Sequence, residues 1–307
     1  MKRKNNALLI GVIYPKVQKY LADYCMSIKS QDMNKFDILI LNDGFIGRFP
    51  LKNKSITIID IKNKLTPAEI RMLGIKYAIE NDYKYIIFSD TDDYFYLNRI
   101  SVSINKLEKY DFVFNELYLI NETKDVIKKS YYNNILKKAE YTSYLEIING
   151  NLFGLGNSAV KVNKLKELYI PKEIIAVDWW IFSILLLNKC KGGFIKGAIT
   201  YYRQHNNNFV GVNKKLNKTI LHKGIKVKQI HYKNLLIYCE DHKMKEATKI
   251  YYKKLEEINI LNKYIQDDSF CKKYIEVINK NYKKIYSGWW SEVLPINEWR
   301  KYDERIL

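Results

Sequence analysis

Cysteine is scarce in this chain and nowhere paired in sequence. Cys25, Cys190, Cys239 and Cys271 are scattered with no Cys-x-x-Cys unit, which argues against a zinc site or a disulfide framework and for a reducing cytoplasm. Long apolar runs are also missing. The longest, Trp179 to Leu187, is far short of the ~20 residues a membrane span needs. The run Ala7 to Ile13 follows Lys2, Arg3 and Lys4 but ends at Tyr14-Pro15, so it reads as a first strand rather than a signal peptide. A glycine-rich, lysine-bearing phosphate loop is absent near the N-terminus, and neither an internal repeat nor a nucleic-acid-binding motif appears. Acidic residues are outnumbered, 33 against 52 Lys+Arg, leaving a net charge of +19. Such a charge favours nucleic acid, anionic membranes or phosphorylated ligands. Lys, Asn, Ile and Tyr are plentiful throughout, however, so a general compositional bias explains it equally well.

What remains is a chain of 307 residues, 47% apolar and 28% charged, long enough for a sizeable core and about two domains. Its first hundred residues alternate strand and helix. Ala7–Ile13, Asp37–Leu41, Ile56–Ile61 and an apolar run ending at Asp90 read as strands. Val17, Leu21, Tyr24, Cys25 and Ile28 recur at helical spacing. Thr66-Pro67-Ala68-Glu69 is a capping box with proline at the first helical position, and Ile70, Leu73, Gly74, Tyr77 and Ala78 form its buried stripe. The alternation predicts an α/β, mostly parallel sheet flanked by helices. Further on, Asp111–Ile120 reads as a strand, Tyr131–Ile148 as a helix or an irregular insertion, Asp178–Lys189 as a helix and Gly193–Arg203 as a strand. Beyond Gly211 the pattern is helical, lysine-rich and tyrosine-rich, as for helices packed on the body or a separate module.

The chemistry-bearing segments lie at element ends. Tyr85-Ile86-Ile87-Phe88-Ser89-Asp90-Thr91-Asp92-Asp93 is a buried strand ending in three carboxylates, at the edge where open α/β sheets bind ligands. Like charges so crowded need a positive partner, and a divalent cation on phosphate oxygens would provide one. A plain turn with Asp93 capping the next helix is the ordinary alternative. Asn42-Asp43-Gly44 ends another strand and is either an Asx turn or a ribose or base contact. Arg71, off the buried stripe, faces either solvent or the same crevice. Asp178-Trp179-Trp180 opens an apolar helix. Asp178 is either its N-cap or a general base kept ionised by the helix N-terminus, and Trp179 and Trp180 are either core residues or a sugar platform. Tyr202-Arg203-Gln204-His205-Asn206-Asn207-Asn208 concentrates groups suited to a diphosphate or a metal.

Taken in order, these motifs resemble the family 2 glycosyltransferases, enzymes with the GT-A fold, from about Leu8 to Gly211. Val12-Ile13-Tyr14-Pro15 is similar to the family's opening strand, Leu41-Asn42-Asp43-Gly44 to its nucleotide-binding strand end, and Arg71-Met72-Leu73-Gly74 to its Arg-Asn-x-Gly segment. Ser89-Asp90-Thr91-Asp92 resembles the DxD signature, and Asp178-Trp179-Trp180 with Tyr202-Arg203-Gln204-His205 resembles the catalytic acid and late loop. Met72 replaces an Asn, Val177 a second acid, and Lys16-Val17 a Tyr-Asn pair. The resemblance implies an inverting, Mn²⁺- or Mg²⁺-dependent transfer from a UDP- or dTDP-sugar to a glycan or lipid-linked acceptor, in polysaccharide or glycoconjugate synthesis. It implies that Pro15, Asp43, Arg71 and Asp90 contact the nucleotide and that Asp92, Asp90 and His205 hold the metal. Asp178 would be the base, with Trp179, Trp180, Arg203 and Asn208 at donor and acceptor. The expected organisation is a catalytic domain over 1–211, with a nucleotide half 1–96 and an acceptor half 97–211, then a basic helical extension over 212–307. A cytoplasmic protein with peripheral contact to the anionic inner face of a membrane is expected, and no nucleic-acid partner. The competing readings are a basic nucleic-acid-binding protein and a sugar nucleotidyltransferase.

Overall fold

The computed structural model describes residues 5–52, 55–205 and 215–303. Strand β1, Ala7–Ile13, is buried along almost its whole length, as an apolar run at the centre of a parallel sheet requires. The chain turns through a 3₁₀ segment, Pro15–Tyr20, into α1, Leu21–Lys29. Strand β2, Asp37–Asn42, pairs parallel with β1, and β3, Ile56–Asp60, pairs parallel with β2. Helix α2, Pro67–Glu80, starts on the capping box: Thr66 Oγ1 accepts from the Glu69 N–H, and the Thr66 N–H donates to Glu69 Oε2. A cap of this kind is worth about 1 kcal/mol. Strand β4, Tyr85–Phe88, returns to the other flank of β1, again parallel. The strand order therefore reverses at β1, which creates the crevice where open sheets bind ligands.

The second half is less regular. It comprises β5, Tyr94–Phe95, α3, Arg99–Lys106, β6, Phe112–Ile120, β7, Val126–Lys128, β8, Glu140–Tyr141, β9, Ser158–Lys161, α4, Val177–Leu187, and β10, Gly192–Arg203. The sheet runs β3-β2-β1-β4-β9-β6-β10-β5, with β7 beside β6 and β8 beside β10. Strand β9 is antiparallel to both β4 and β6, so the sheet is mixed: its first four strands run parallel, and β6 and β10 form a second parallel pair. Between Tyr131 and Ile148 there are two 3₁₀ turns, Tyr131–Asn134 and Tyr144–Ile147, around the short β8; the irregular insertion is the reading that holds. On α2 the buried side differs from the expected stripe: Leu73 is 39% exposed and Ile75 is buried. Gly74 sets this orientation, because a Cβ there would lie 3.1 Å from Ile10 and 3.4 Å from Leu41.

Helix α4 is buried at every residue except Asp178, which is why it is apolar on all sides. It is covered by α5, Lys218–Asp241, which packs in turn on α6, Lys245–Tyr264, and α7, Asp268–Ile285, with the short α8, Ile296–Trp299, against those two. The Trp179 and His231 rings stack at 3.9 Å, and the Tyr232 hydroxyl donates to the Ile148 carbonyl. Lys228 Nζ is buried and donates to the carbonyls of Asn149 and Val293; burial pulls its pKa down to about 7. One hydrophobic core runs from Leu8 and Leu39 through Trp179 to Trp299, so the tail packs on the body. The expected division at 211 lies outside the described residues. All four cysteines are free and buried. Among the described residues no helix is long and apolar enough to cross a membrane.

Candidate active site

The turn after β4 is fastened to β1 by its alternate residues. Ser89 Oγ donates to the Ile10 carbonyl and meets the Tyr24 hydroxyl at 2.7 Å, and Thr91 Oγ1 donates to the Val12 carbonyl. The intervening carboxylates are thereby directed to separate partners. Asp90 Oδ1 accepts from Arg71 Nη2 at 2.8 Å. Its Oδ2 lies against Gly156, where a Cβ would come within 2.4 Å, so no side chain fits at 156 without displacing Asp90. Asp92 Oδ2 accepts from the Tyr14 hydroxyl at 3.3 Å and lies 2.9 Å from His205 Nε2. Asp93 Oδ1 accepts from the Arg203 N–H. Asp93 runs straight into β5, and the next helix, α3, is entered from Asn98, so Asp93 is not its cap.

Burial and the neighbouring carboxylates push the pKa values of Asp90 and Asp93 upward, that of Asp93 strongly, while Arg71 draws Asp90 back down. Burial, then Asp92 and Asp90, raise the Tyr14 phenol. The positive partner demanded by these carboxylates is partly the protein itself. Arg71 pairs with Asp90, Arg203 Nε donates to the Asp92 carbonyl, and the fully buried Arg99 donates to the Phe88 carbonyl beneath the turn. Burial lowers the Arg99 guanidinium to about 10 against the pull of Asp90 and Asp93.

Asp178 enters from α4. Its Oδ1 accepts the Trp179 N–H at 2.8 Å. Burial raises its pKa to about 6; the Trp179 N–H opposes this, and the charge on Asp90 adds to it. The helix N-terminus does not set this value: desolvation outweighs the Trp179 N–H, yet a carboxyl raised only to about 6 is still mainly ionised at neutral pH. A carboxylate of that pKa, held beside Asp90 and the Arg71 pair, is suited to accept a proton near neutrality.

Asp43, at the end of β2, and Asp90, at the end of β4, share one rim but lie on either side of β1 rather than on adjacent strands. The Asp43 N–H donates to the Ile13 carbonyl, and Gly44 follows with φ +78°. Residues 10–169, just over half of the chain, match the model of glycosyl transferase family 2.

The chain belongs to that family. An uncharacterised glycosyltransferase of Rickettsia conorii is 30% identical over 162 residues, covering 50% of this chain and 24% of the relative. Another, from Rickettsia felis, is 33% identical over 114 residues, covering 34% and 18%. The match therefore spans about a quarter or less of these relatives' own length. Among solved structures, S. aureus TarS 1-349 in complex with UDP-GlcNAc superimposes with TM-score 0.56 at 15% identity, covering 91% of this chain and 92% of that one. A mannosyltransferase, PcManGT from Pyrobaculum calidifontis, in complex with GDP-Man and Mn²⁺, gives 0.53 at 11% identity, covering 76% and 64%. These likenesses show the fold, which is GT-A.

For this family 2 glycosyltransferase several site expectations change. Trp179 and Trp180 offer no face to a sugar: both are buried, with their indole N–H groups donating to the carbonyls of Ile147 and Tyr169. The cause is the cover of C-terminal helices over α4. Arg203 is 1% exposed, paired to Asp23 at 2.9 Å and stacked over the Tyr20 ring, so its guanidinium is engaged with the protein. Pro15 is exposed just beyond β1. Asn208 lies outside the described residues. His205 stacks on Tyr20 at 5.4 Å and reaches Asp92. Tyr14, Tyr20, Asp23, Arg99 and Gly156 were not singled out from sequence. Tyr14 alone had a signal, its place at the carboxyl end of β1.

A divalent metal is tested by these donors. Among the described residues no group of three or more His, Cys, Asp or Glu side chains is arranged to hold one. Asp92 and His205, with Asp90 near, provide an oxygen and a nitrogen donor. Such a pair leaves most of the shell of a divalent cation to water and substrate phosphate.

Proposed function

We propose that this chain is an inverting, divalent-metal-dependent glycosyltransferase that moves a sugar from a UDP- or dTDP-sugar to a hydroxyl of a glycan or lipid-linked acceptor, in cell-surface polysaccharide or glycoconjugate synthesis. The observation that carries this reading is the single carboxylate Asp178, raised to about 6, beside the Asp90–Asp92 turn. In the proposed step Asp178 takes the acceptor hydroxyl's proton as its oxygen attacks the anomeric carbon. The bond to the diphosphate breaks on the opposite face, and the nucleoside diphosphate leaves with the electron pair. Mn²⁺ or Mg²⁺ would be held by Asp92 and His205, with Asp90 behind them on the same turn and the rest of its shell from water and the diphosphate, and would offset charge on that leaving group. Tyr14 fixes Asp92, and Arg71 fixes Asp90. Because Arg71 is engaged there, Asp43 is the stronger candidate for the base or ribose, with Pro15 at the mouth. The UDP-GlcNAc and GDP-Man complexes of the structural relatives support a nucleoside diphosphate-sugar. Residues 1–211 form the catalytic body in this reading, 1–96 for the nucleotide and 97–211 for the acceptor, and 212–307 the extension.

In thermal shift assays with a panel of nucleotide-sugars, a UDP- or dTDP-sugar with Mn²⁺ is expected to raise Tm by mass action, by about 2.7 kcal/mol of stabilisation at a hundredfold excess over Kd. No shift with any nucleotide-sugar overturns the reading. The membrane contact rests on the charge of +19 and on exposed Lys272, Lys280, Lys283 and Lys284 of α7, since each lysine near an anionic surface is worth about 1 kcal/mol. Co-sedimentation with phosphatidylglycerol vesicles, lost at high salt, is expected; equal recovery with neutral vesicles ends that part of the proposal.

A further inference from the structure

We propose that Tyr94, Tyr96, Tyr118 and Tyr201 form a platform that takes the flat faces of pyranose rings in an uncharged glycan chain. It rests on the glycosyltransferase reading above and extends it from the reacting hydroxyl to more distant sugars of the acceptor. Strand register builds the platform: Tyr201 on β10 lies opposite Tyr94 on β5 and Tyr118 on β6. The rings of Tyr94 and Tyr201 stack at 4.5 Å and 14°, and Tyr118 meets Tyr201 edge-on at 5.8 Å. The Tyr96 N–H donates to the Ile199 carbonyl of β10 at 2.9 Å, which holds Tyr96 beside the segment that carries Tyr201. Tyr96 is 45% exposed and Leu97 beside it 42%.

None of the four tyrosines belongs to either hydrophobic core. Packing of the body therefore does not account for them, unlike Phe95 between Tyr94 and Tyr96, which is buried in a core. The edge strand β5 has two residues, too short a template for strand addition by a protein partner, so recognition here falls to side chains. Phenol side chains offer no positive charge, which disfavours phosphate or anionic lipid. Rigid aromatic faces rimmed by hydroxyls match pyranose rings, apolar on their C–H faces and polar at the edge. The platform borders the acidic turn: Tyr94 follows Asp92 and Asp93 in the chain, and the Arg203 guanidinium that bonds the Asp92 carbonyl lies 5.8 Å from the Tyr94 ring.

The test titrates the whole chain with maltohexaose, cellohexaose, mannohexaose and chitohexaose, read by saturation-transfer NMR, beside the slow release of nucleoside diphosphate from a nucleotide-sugar to water. At least one oligosaccharide is expected to bind with Kd on the order of 1 mM. The double variant Tyr96→Ser/Tyr201→Ser should weaken it about tenfold, with nucleotide release unchanged. Tyr201→Phe, which keeps the ring, should retain binding, and the exposed Tyr96→Ser alone guards against misfolding. Binding of none of the four sugars, or equal binding by the double variant, overturns the platform. A wild-type dimer that the double variant splits in sedimentation also overturns it, making the patch an interface between copies. A wild type that neither binds nor hydrolyses any nucleotide-sugar fails the glycosyltransferase reading instead.

Discussion

Asp178→Asn is expected to lower turnover by ~10²–10⁴-fold, the usual contribution of a general base and about 3–5 kcal/mol of barrier, while calorimetric affinity for the nucleotide-sugar is unchanged. Asn keeps the oxygen that accepts the Trp179 N–H and loses only the ability to take a proton. Burial places the wild-type pKa at about 6, so kcat/KM should rise tenfold per pH unit below that value and level off above it, and the variant should lack this limb. Stability should move the other way. The folded pKa lies above the unfolded value of ~3.9, so the contribution of Asp178 is fully present below pH ~4 and is lost as pH rises through about 6. At pH 8 the variant should therefore melt higher than wild type, and at pH 4 the two should converge. An unchanged turnover number reassigns the base; a lower Tm at pH 8 would show that Asp178 is no isolated buried charge.

Local patterns carried much of this in the sequence. The apolar run into Asp90 reads as a buried parallel strand because nothing else places continuous β-favouring residues before three acids, and Thr66 to Glu69 specifies a helix start almost by itself. The site's compensation was not local. Arg99 and Arg203 reach the acidic turn from α3 and from the end of β10, and no short-range pattern pairs residue 92 with residue 203. Gly156 gives no signal at all, since its role is the space Asp90 occupies. Trp179 and Trp180 look the same in sequence whether they line a crevice or a core; only the packing of α5 over α4, with His231 on Trp179, decides it. The same holds for β9, whose antiparallel course depends on how the chain between β6 and β9 closes. Sequence reading therefore found the carboxylates with Arg71, Arg203 and His205, and missed Arg99, Tyr14 and Gly156 around them.

Chelation should distinguish charge compensation from catalysis at the acidic turn. Three arginines already face Asp90, Asp92 and Asp93, so the fold does not depend on a cation for neutralisation. Excess EDTA is accordingly expected to leave the Tm of the unliganded chain unchanged, while it abolishes sugar transfer and cancels the stabilisation given by a nucleotide-sugar. Mn²⁺ or Mg²⁺ should restore both. Asp92→Asn should reproduce the loss at saturating metal, because Asp92 is the carboxylate whose Oδ2 meets both Tyr14 and His205, and turnover should fall by at least about a hundredfold. His205→Ala removes one donor and leaves the carboxylates, so it should weaken Mn²⁺ binding, followed by electron paramagnetic resonance, with a smaller loss of turnover at saturating metal. Full activity in excess EDTA would remove the metal from the mechanism and leave the leaving diphosphate to the cationic side chains. A fall in the unliganded Tm on chelation would instead mean that the arginines do not suffice and that the cation is part of the fold.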